Sequence, residues 1–342
     1  MDDTLIAVAR AMLAPGKGLL AIDESTGTCN ARFASLSIAQ TESSRRSYRE
    51  LLVSTAGLSE YISAVILYDE TAHQHLRGDQ GFLTFLAQAG MVPGIKVDLG
   101  AKPLAGHAGE RVTEGLDGLR ERLVAYHVLG ARFAKWRAVF SISASWPTRA
   151  CIEANAHALA RYAALCQEAG LLPIVEPEVL VAGAHTLERC EDIMQAVLLS
   201  VFEQLDRQGV RLEEMILKPA MVLPGSEATA PASPADVAAA TLTGLRRAVP
   251  AAVAGVAFLS GGQPGPLACT RLSAMHSLAR MEGLCLPWPL TFSFGRALQQ
   301  PAMQIWAGAE ANAQAAQHAL LLRARCSAAA ARGEYVAGME AT

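Results

Sequence analysis

Four polar residues, Lys135, Glu176, Lys218 and Ser260, stand 41, 42 and 42 residues apart, each close to the end of a short apolar run. A step that regular marks a repeating unit, and a strand with the helix that returns it to the same sheet fills such a length. The apolar runs are GLLAI (18–22), YISAVILY (61–68), VPGIKV (92–97), ARFAKW (131–136), LLPIVEP (171–177), EMILKP (214–219), GVAFLSG (255–261) and PLTFSFG (289–295). Longer stretches with helical chemistry separate them. Eight βα units predict an α/β protein, a (β/α)8 TIM barrel with all strands parallel. The chain length of 342 residues suits that architecture. The alternative is an open doubly wound sheet, which usually has fewer strands and a glycine-rich first turn, and the chain contains no GxGxxG. No linker interrupts the pattern. Residues 1–342 therefore read as a single barrel domain with an N-terminal helical extension and a short C-terminal tail.

Local punctuation agrees. Thr148 can cap a helix that carries apolar side chains through Cys151 to Leu165 and ends at Gly170. Ser233-Pro234 reads as N-cap and first helical residue, with Asp236 in the first turn. Residues 185–208 read as a long amphipathic helix closed by Gly209, and the Ala-rich stretch 327–332, followed by GEYVAGMEAT, reads as a fraying tail. Hydrophobic residues make up 51% of the chain and charged ones 18%, ample for a large core. A net charge of -3 offers no surface for nucleic acid. The seven cysteines are scattered without a CxxC pair, which argues against a disulfide framework or a zinc ribbon and fits a reducing, cytoplasmic setting. MDDTLIAVAR lacks a signal-peptide pattern, and no apolar run reaches the ~18 residues of a membrane span.

In a parallel barrel, reacting groups sit at the C-terminal ends of the strands. Those ends read IDEST, YDET, IKVD, AKWR, VEPE, LKPA, LSGG and FGRA. Eight polar ends together predict one polar bowl. Lys96 with Asp98, Lys135 with Arg137, and Glu176 with Glu178 are spaced i, i+2, which on a strand places both side chains on one face. Lys218 is embedded in MILKPAMV, a run that otherwise reads as buried. A lysine kept in partial burial beside Lys135 and Arg137 has a lowered pKa, so its neutral amine becomes a nucleophile toward carbonyl carbon and can form a Schiff base. Two carboxylates, Glu176 and Glu178, could divide the proton transfers that expel water. The rival reading is a structural ion pair from Lys218 to Glu176 or Glu178, and spacing alone leaves it open. LSGGQ and FGRALQ, on the last two strands, place Ser260, Gly261, Gly295 and Arg296 where barrels often bind phosphate. Arg32 with Lys96, on early strands, could serve a second phosphate across the bowl. His73 and His75 in TAHQH lack the spacing and the third partner of a metal site, so no metal is expected.

The motifs LLAIDESTGT, GIKVD, PLAG, GLDGL, FAKWR, PIVEPE, LKPAMVLPG, FLSGGQ and SFGRALQ occur in order from about residue 16 to residue 335. In them the chain resembles the class I (Schiff-base) fructose-bisphosphate aldolases. The resemblance implies a (β/α)8 barrel, usually a homotetramer, that works without a metal or other cofactor on a sugar-phosphate substrate. It also implies roles. Lys218 matches the Schiff-base lysine and Glu176 the carboxylate that serves as acid and base around the carbinolamine and imine. Glu178 and Lys135 match its supporting neighbours, and Asp23 matches the group assisting carbon–carbon cleavage near the C4 hydroxyl. Ser260, Gly261, Gly295 and Arg296 match the C1-phosphate site, while Arg32 and Lys96, with Arg137, match groups toward the C6 phosphate. Three departures stand out. Ala31 precedes Arg32 where animal members have Lys, Ala220 replaces Asn in LKPNM, and the chain stops at MEAT without the terminal tyrosine that helps protonate the enamine. The short end hints at a bacterial source. Beside the fructose-bisphosphate reading stand two others: preference for a different ketose phosphate, such as fructose 1-phosphate or sedoheptulose bisphosphate, and a non-catalytic sugar-phosphate-binding scaffold.

Overall fold

A computed structural model describes residues 4–341 of the chain. Eight parallel strands close into a barrel: β1 (Gly18–Ile22), β2 (Ile62–Leu67), β3 (Val92–Lys96), β6 (Phe133–Phe140), β7 (Leu172–Val179), β8 (Ile216–Leu217), β9 (Gly255–Phe258) and β10 (Leu290–Phe294). Sequence order is spatial order, and β10 pairs with β1 to complete the ring. Helices pack around the ring, as the strand–helix alternation predicts. The two remaining strands, β4 (Ala101–Pro103) and β5 (Arg111–Thr113), form a separate antiparallel hairpin between β3 and β6. That hairpin was not expected. Each of its strands is three residues long and carries too little periodicity to show in a sequence.

The core has two parts, set by the alternation of side chains along each strand. Inward-facing Leu19, Ala21, Ala64, Ile66, Phe133, Leu172, Ile174, Ile216 and Ala257 fill the barrel, and the helix Leu5–Met12 adds Leu5, Ala9 and Met12 to the same cluster. Outward-facing neighbours such as Leu20, Val65, Ala134, Val175, Leu217, Val256 and Phe292 pack against the surrounding helices. Phe133 needs a glycine opposite it: a Cβ on Gly94 would lie 2.3 Å from its ring. Six of the seven cysteines are buried and only Cys285 is exposed.

The caps fall where their residues direct them. The Thr148 hydroxyl accepts the Cys151 N–H at the start of Arg149–Glu168, and Ser233 and Asp236 form a reciprocal capping box on Pro234–Ala248. Thr186 caps the helix Leu187–Arg207, and Gly209 follows it with φ +67°. Thr4 caps the N-terminal helix, while residues 1–3 of the leading segment and Thr342 of the closing MEAT lie outside the described residues.

Two expectations need correction. The run 214–219 contributes only Ile216 and Leu217 as strand, because Pro219 has no N–H to extend a ladder; the Lys218 N–H still reaches the Val175 carbonyl at 2.8 Å. The Ala-rich stretch is no fraying tail. Its residues 327–330 end the helix Ala313–Ala330, and Ser327, Ala328, Ala329 and Ala330 are buried. Alanine loses no side-chain entropy in a helix, and its small side chain admits close neighbours. Beyond the helix, Glu340 pairs with buried Arg323 and accepts the Tyr335 hydroxyl at 2.8 Å, which holds the closing segment down.

Candidate active site

The alternation that points Phe133, Ile174 and Ile216 inward carries on toward the C-terminal ends of the same strands. It therefore turns Lys135, Arg137, Glu176, Glu178 and Lys218 inward above an apolar floor. They line a cavity of about 430 Å³. Twelve of the residues singled out from the sequence face it: Asp23, Arg32, Lys96, Lys135, Arg137, Glu176, Glu178, Lys218, Ser260, Gly261, Gly295 and Arg296. Asp98 does not. Its carboxylate braces the wall from behind, accepting the N–H of Gly100 at 3.1 Å and of Arg137 at 3.2 Å, with Lys96 Nζ 3.4 Å away.

The charged layer is tightly interlocked. Lys135 Nζ lies 2.9 Å from Asp23 Oδ2 and 2.8 Å from Glu176 Oε2, while Arg137 pairs with Glu178. Lys218 Nζ is 3.5 Å from the same Glu176 oxygen, and neither lysine contact to that oxygen is aligned as a hydrogen bond. The nearer cation to Glu176 is thus Lys135. The Lys218–Glu176 ion pair is the longer and looser of the two.

Burial drives the protonation behaviour. It is the main cause lowering the Lys218 pKa, and nearby Arg137 pushes the same way against the attraction of Asp23 and Glu178. Lys135 is pushed down to about 8, again chiefly by burial, with Asp23 opposing. Burial alone would raise Asp23, but Lys135, Lys218 and Lys96 together outweigh it and hold that carboxyl well below the usual range. Two buried amines thus lean toward the neutral form beside a fixed anion.

The last two strand ends supply a different surface. Gly261 and Gly262 follow Ser260 with φ of +57° and +83°, a left-handed turn open to glycine, and a Cβ at Gly262 would lie 3.3 Å from the Arg296 guanidinium. Gly295 and Arg296 open the helix Arg296–Trp306. Among the described residues, Arg296 is the only cation lining the cavity with no carboxylate within 4 Å. A turn of exposed N–H groups, a helix start and a free guanidinium suit a phosphate.

Arg32 and Lys96 both line the cavity, each held by partners of its own. Arg32 is tied to Glu24, to Gln299 at 3.2 Å and to Gln300 at 3.2 Å, so it lies against the helix that begins at Arg296. Lys96 is held apart by Asp98 and sits 5.8 Å above the Tyr68 ring. Because β10 pairs with β1, as closure of the expected barrel requires, the chain after β1 lies next to the chain after β10.

Sequence reasoning also missed Glu24, Ser25, Thr28 and Ser293 as cavity-lining side chains. Ser293 is 1% exposed, and its hydroxyl has no partner. A polar residue at an inward position of β10 is the signal that could have found it, since Ser293 pairs in register with inward Leu19. His73 and His75 stay outside the cavity, and His73 Nδ1 meets the Asp69 carbonyl at 2.9 Å. No group of three or more His, Cys, Asp or Glu side chains that could hold a metal is present among the described residues. No helix among them is long and apolar enough to cross a membrane.

Fold and cavity together define a (β/α)8 barrel with a cation-rich cavity around a buried lysine. Comparison with known families matches residues 4–342 to the family described as fructose-bisphosphate aldolase class-I, and the chain belongs to it. It is 51% identical over 334 residues to a probable fructose-bisphosphate aldolase class 1 of Xanthomonas axonopodis pv. citri, covering 97% of this chain and 98% of that one. It is 47% identical to the cytosolic fructose-bisphosphate aldolase 6 of Arabidopsis thaliana, covering 97% and 92%. The solved fructose-bisphosphate aldolase of Plasmodium falciparum, in a ternary complex with TRAP and a small-molecule inhibitor, superposes with a TM-score of 0.94. It shares 43% identity and covers 98% of this chain and 95% of that one. The relatives span bacteria, plants and a protist, so the likeness does not single out a bacterial source.

Proposed function

We propose that this protein is a class I fructose-1,6-bisphosphate aldolase, a lyase acting in glycolysis and gluconeogenesis, with Lys218 as the Schiff-base residue. The observation that carries the reading is Lys218 itself: 3% exposed, lowered in pKa, and at 3.5 Å from its nearest carboxylate. A buried amine held only by so long an ion pair is costly as a structural device and apt as a nucleophile.

The neutral Lys218 amine adds to the C2 carbonyl of the open-chain sugar. Glu176 delivers a proton to the carbinolamine hydroxyl, water leaves, and the iminium ion forms. The C3–C4 bond then breaks, its electron pair moving into the iminium to give an enamine. Asp23, kept ionised by Lys135, takes the C4 hydroxyl proton, and glyceraldehyde 3-phosphate departs. Protonation of the enamine at C3 and hydrolysis release dihydroxyacetone phosphate. Glu178 orients Arg137 and, with Lys135, tunes Glu176. Ser260, Gly261, Gly295 and Arg296 hold the C1 phosphate, with Ser293 on the wall beside them, while Arg32, Lys96 and Arg137 serve the substrate's far phosphate. A homotetramer and a cytoplasmic location belong to this reading, the second supported by the cytosolic plant relatives.

The test is to incubate the protein with dihydroxyacetone phosphate, reduce it with borohydride, and map the adduct by mass spectrometry. An adduct on Lys218 is expected. No adduct from folded protein overturns the reading in favour of a binding scaffold, and an adduct on Lys135 reassigns the nucleophile. One observation favours a second substrate: Arg32, with its counter-ion Glu24, presents a masked charge to a second phosphate. A kcat/KM for fructose 1-phosphate equal to that for fructose 1,6-bisphosphate would support it.

A further inference from the structure

We propose that Gln299 is a positioning residue that sets the phosphate affinity of the cavity by fixing the orientation of Arg32; this rests on the reading of the cavity as a sugar-phosphate site. Gln299 does not line the cavity and is completely buried. It lies one helical turn beyond Arg296, and its backbone N–H is bound to the Gly295 carbonyl at 3.0 Å. Its side-chain amide is used at both ends. Nε2 donates to the Ala21 carbonyl at 2.5 Å and to Glu24 Oε1 at 2.9 Å. Oε1 accepts from Arg32 Nη1 at 3.2 Å and from the Tyr48 hydroxyl at 3.2 Å.

That wiring has a fixed polarity. The amide nitrogen faces the carboxylate and the amide oxygen faces the guanidinium, so neither end can be exchanged without setting like partners against each other. A buried amide satisfied at both ends is held to one geometry. Through this one side chain the end of β1, which leads to Asp23, is joined to the helix whose first residue is Arg296. Arg32 is held at the same point, with its Nε buried and unpartnered. A guanidinium anchored on one side by Glu24, Gln299 and Gln300 keeps a single rotamer toward the cavity. Without Gln299, Arg32 would keep only Glu24 and Gln300, and an incoming phosphate would have to complete its ordering.

The experiment is equilibrium titration of the full chain with inorganic phosphate and with glyceraldehyde 3-phosphate, which carries the far phosphate, without turnover. It compares the unmodified protein, Gln299→Met, Arg32→Met and the double variant. Methionine keeps the volume and removes both polar ends. Gln299→Met is expected to weaken binding of both ligands about ten-fold, the worth of one hydrogen bond to a charged group. Adding Gln299→Met to Arg32→Met is expected to change binding less than two-fold, because the effect acts through Arg32. Unchanged binding with a lowered melting temperature would overturn the proposal and leave Gln299 structural. So would equal losses in the two backgrounds. If Gln299→Met fails to fold, Gln299→Glu reads the same point, since a carboxylate there reverses the Nε2 contacts and is expected to weaken binding at pH 8 more than at pH 6. Equal weakening at both would refute the proposal. These readouts need no catalysis, so failure of the aldolase reading would show separately, as an untrapped Lys218.

Discussion

Replacing Lys135 with methionine separates a working lysine from a structural one. At pH 7 an ammonium whose pKa is moved from 10.5 to about 8 costs the folded state about 3 kcal/mol, with the attraction of Asp23 already included. Methionine removes that cost. It also strips Asp23 Oδ2 of its 2.9 Å hydrogen bond and leaves Lys218 at 3.5 Å as the nearest cation to Glu176, a loss of about 1.5–3 kcal/mol. The two nearly cancel, so Lys135→Met should unfold in urea within about 1.5 kcal/mol of the parent. Removing one partner of an ordinary buried pair would instead cost about 3–5 kcal/mol. Catalysis should fall far more, by about 10²–10⁴ in kcat, because carbinolamine dehydration loses the cation that tunes its acid. The pH dependence has a definite sign. Between pH 8 and 10.5 the unfolded chain still carries this proton while the folded chain has lost it, so Lys135 makes parent stability rise through that window. The variant lacks the rise, and the difference between the two proteins should shift by about 3 kcal/mol from pH 7 to pH 10.5. Urea melts followed by circular dichroism at both pH values, with a coupled cleavage assay, provide the measurement. A stability loss above 3 kcal/mol at pH 7, or a kcat within ten-fold of the parent, would refute the reasoning.

Arg296→Ala should raise KM for phosphorylated ketoses about ten- to hundred-fold, since a charge-assisted contact with phosphate is worth about 1.5–3 kcal/mol; an unchanged KM would remove Arg296 from the phosphate site. Tyr335→Phe should leave cleavage within about two-fold and lower stability by about 1 kcal/mol, because its hydroxyl is engaged by Glu340 and does not line the cavity. Loss of most of the enamine proton exchange in that variant would show that Tyr335 reaches the substrate after all.

What could be read in advance was what repeats or alternates. The 42-residue step from Glu176 to Lys218 and again to Ser260 foretold strands in sequential order, and i, i+2 spacing foretold that Lys135 with Arg137 and Glu176 with Glu178 share a face. Contacts that join distant segments carried no such trace. Arg32 lies beside Gln299 because β10 closes on β1, a separation of 267 residues along the chain. Asp98 shares an i, i+2 step with Lys96 yet turns behind the wall, because its strand ends at Lys96 and the alternation ends with it. The alanines at 328–330 resemble a disordered end in composition, and only the neighbouring helices make them core.

The charged layer over an apolar floor has a consequence beyond the reacting atoms. Six cations and four carboxylates line the cavity, an excess of two positive charges with every lysine protonated and of one with Lys218 neutral, in a chain whose total is -3. Beneath them the barrel interior is hydrocarbon, a poor medium for field lines, so the field of that excess leaves chiefly through the mouth. A molecule that migrates as an anion thus presents a local funnel to other anions. Arrival of a doubly charged sugar phosphate should slow as salt shortens the reach of that field, to about 8 Å at physiological ionic strength, while a neutral sugar of the same size would arrive at one rate throughout.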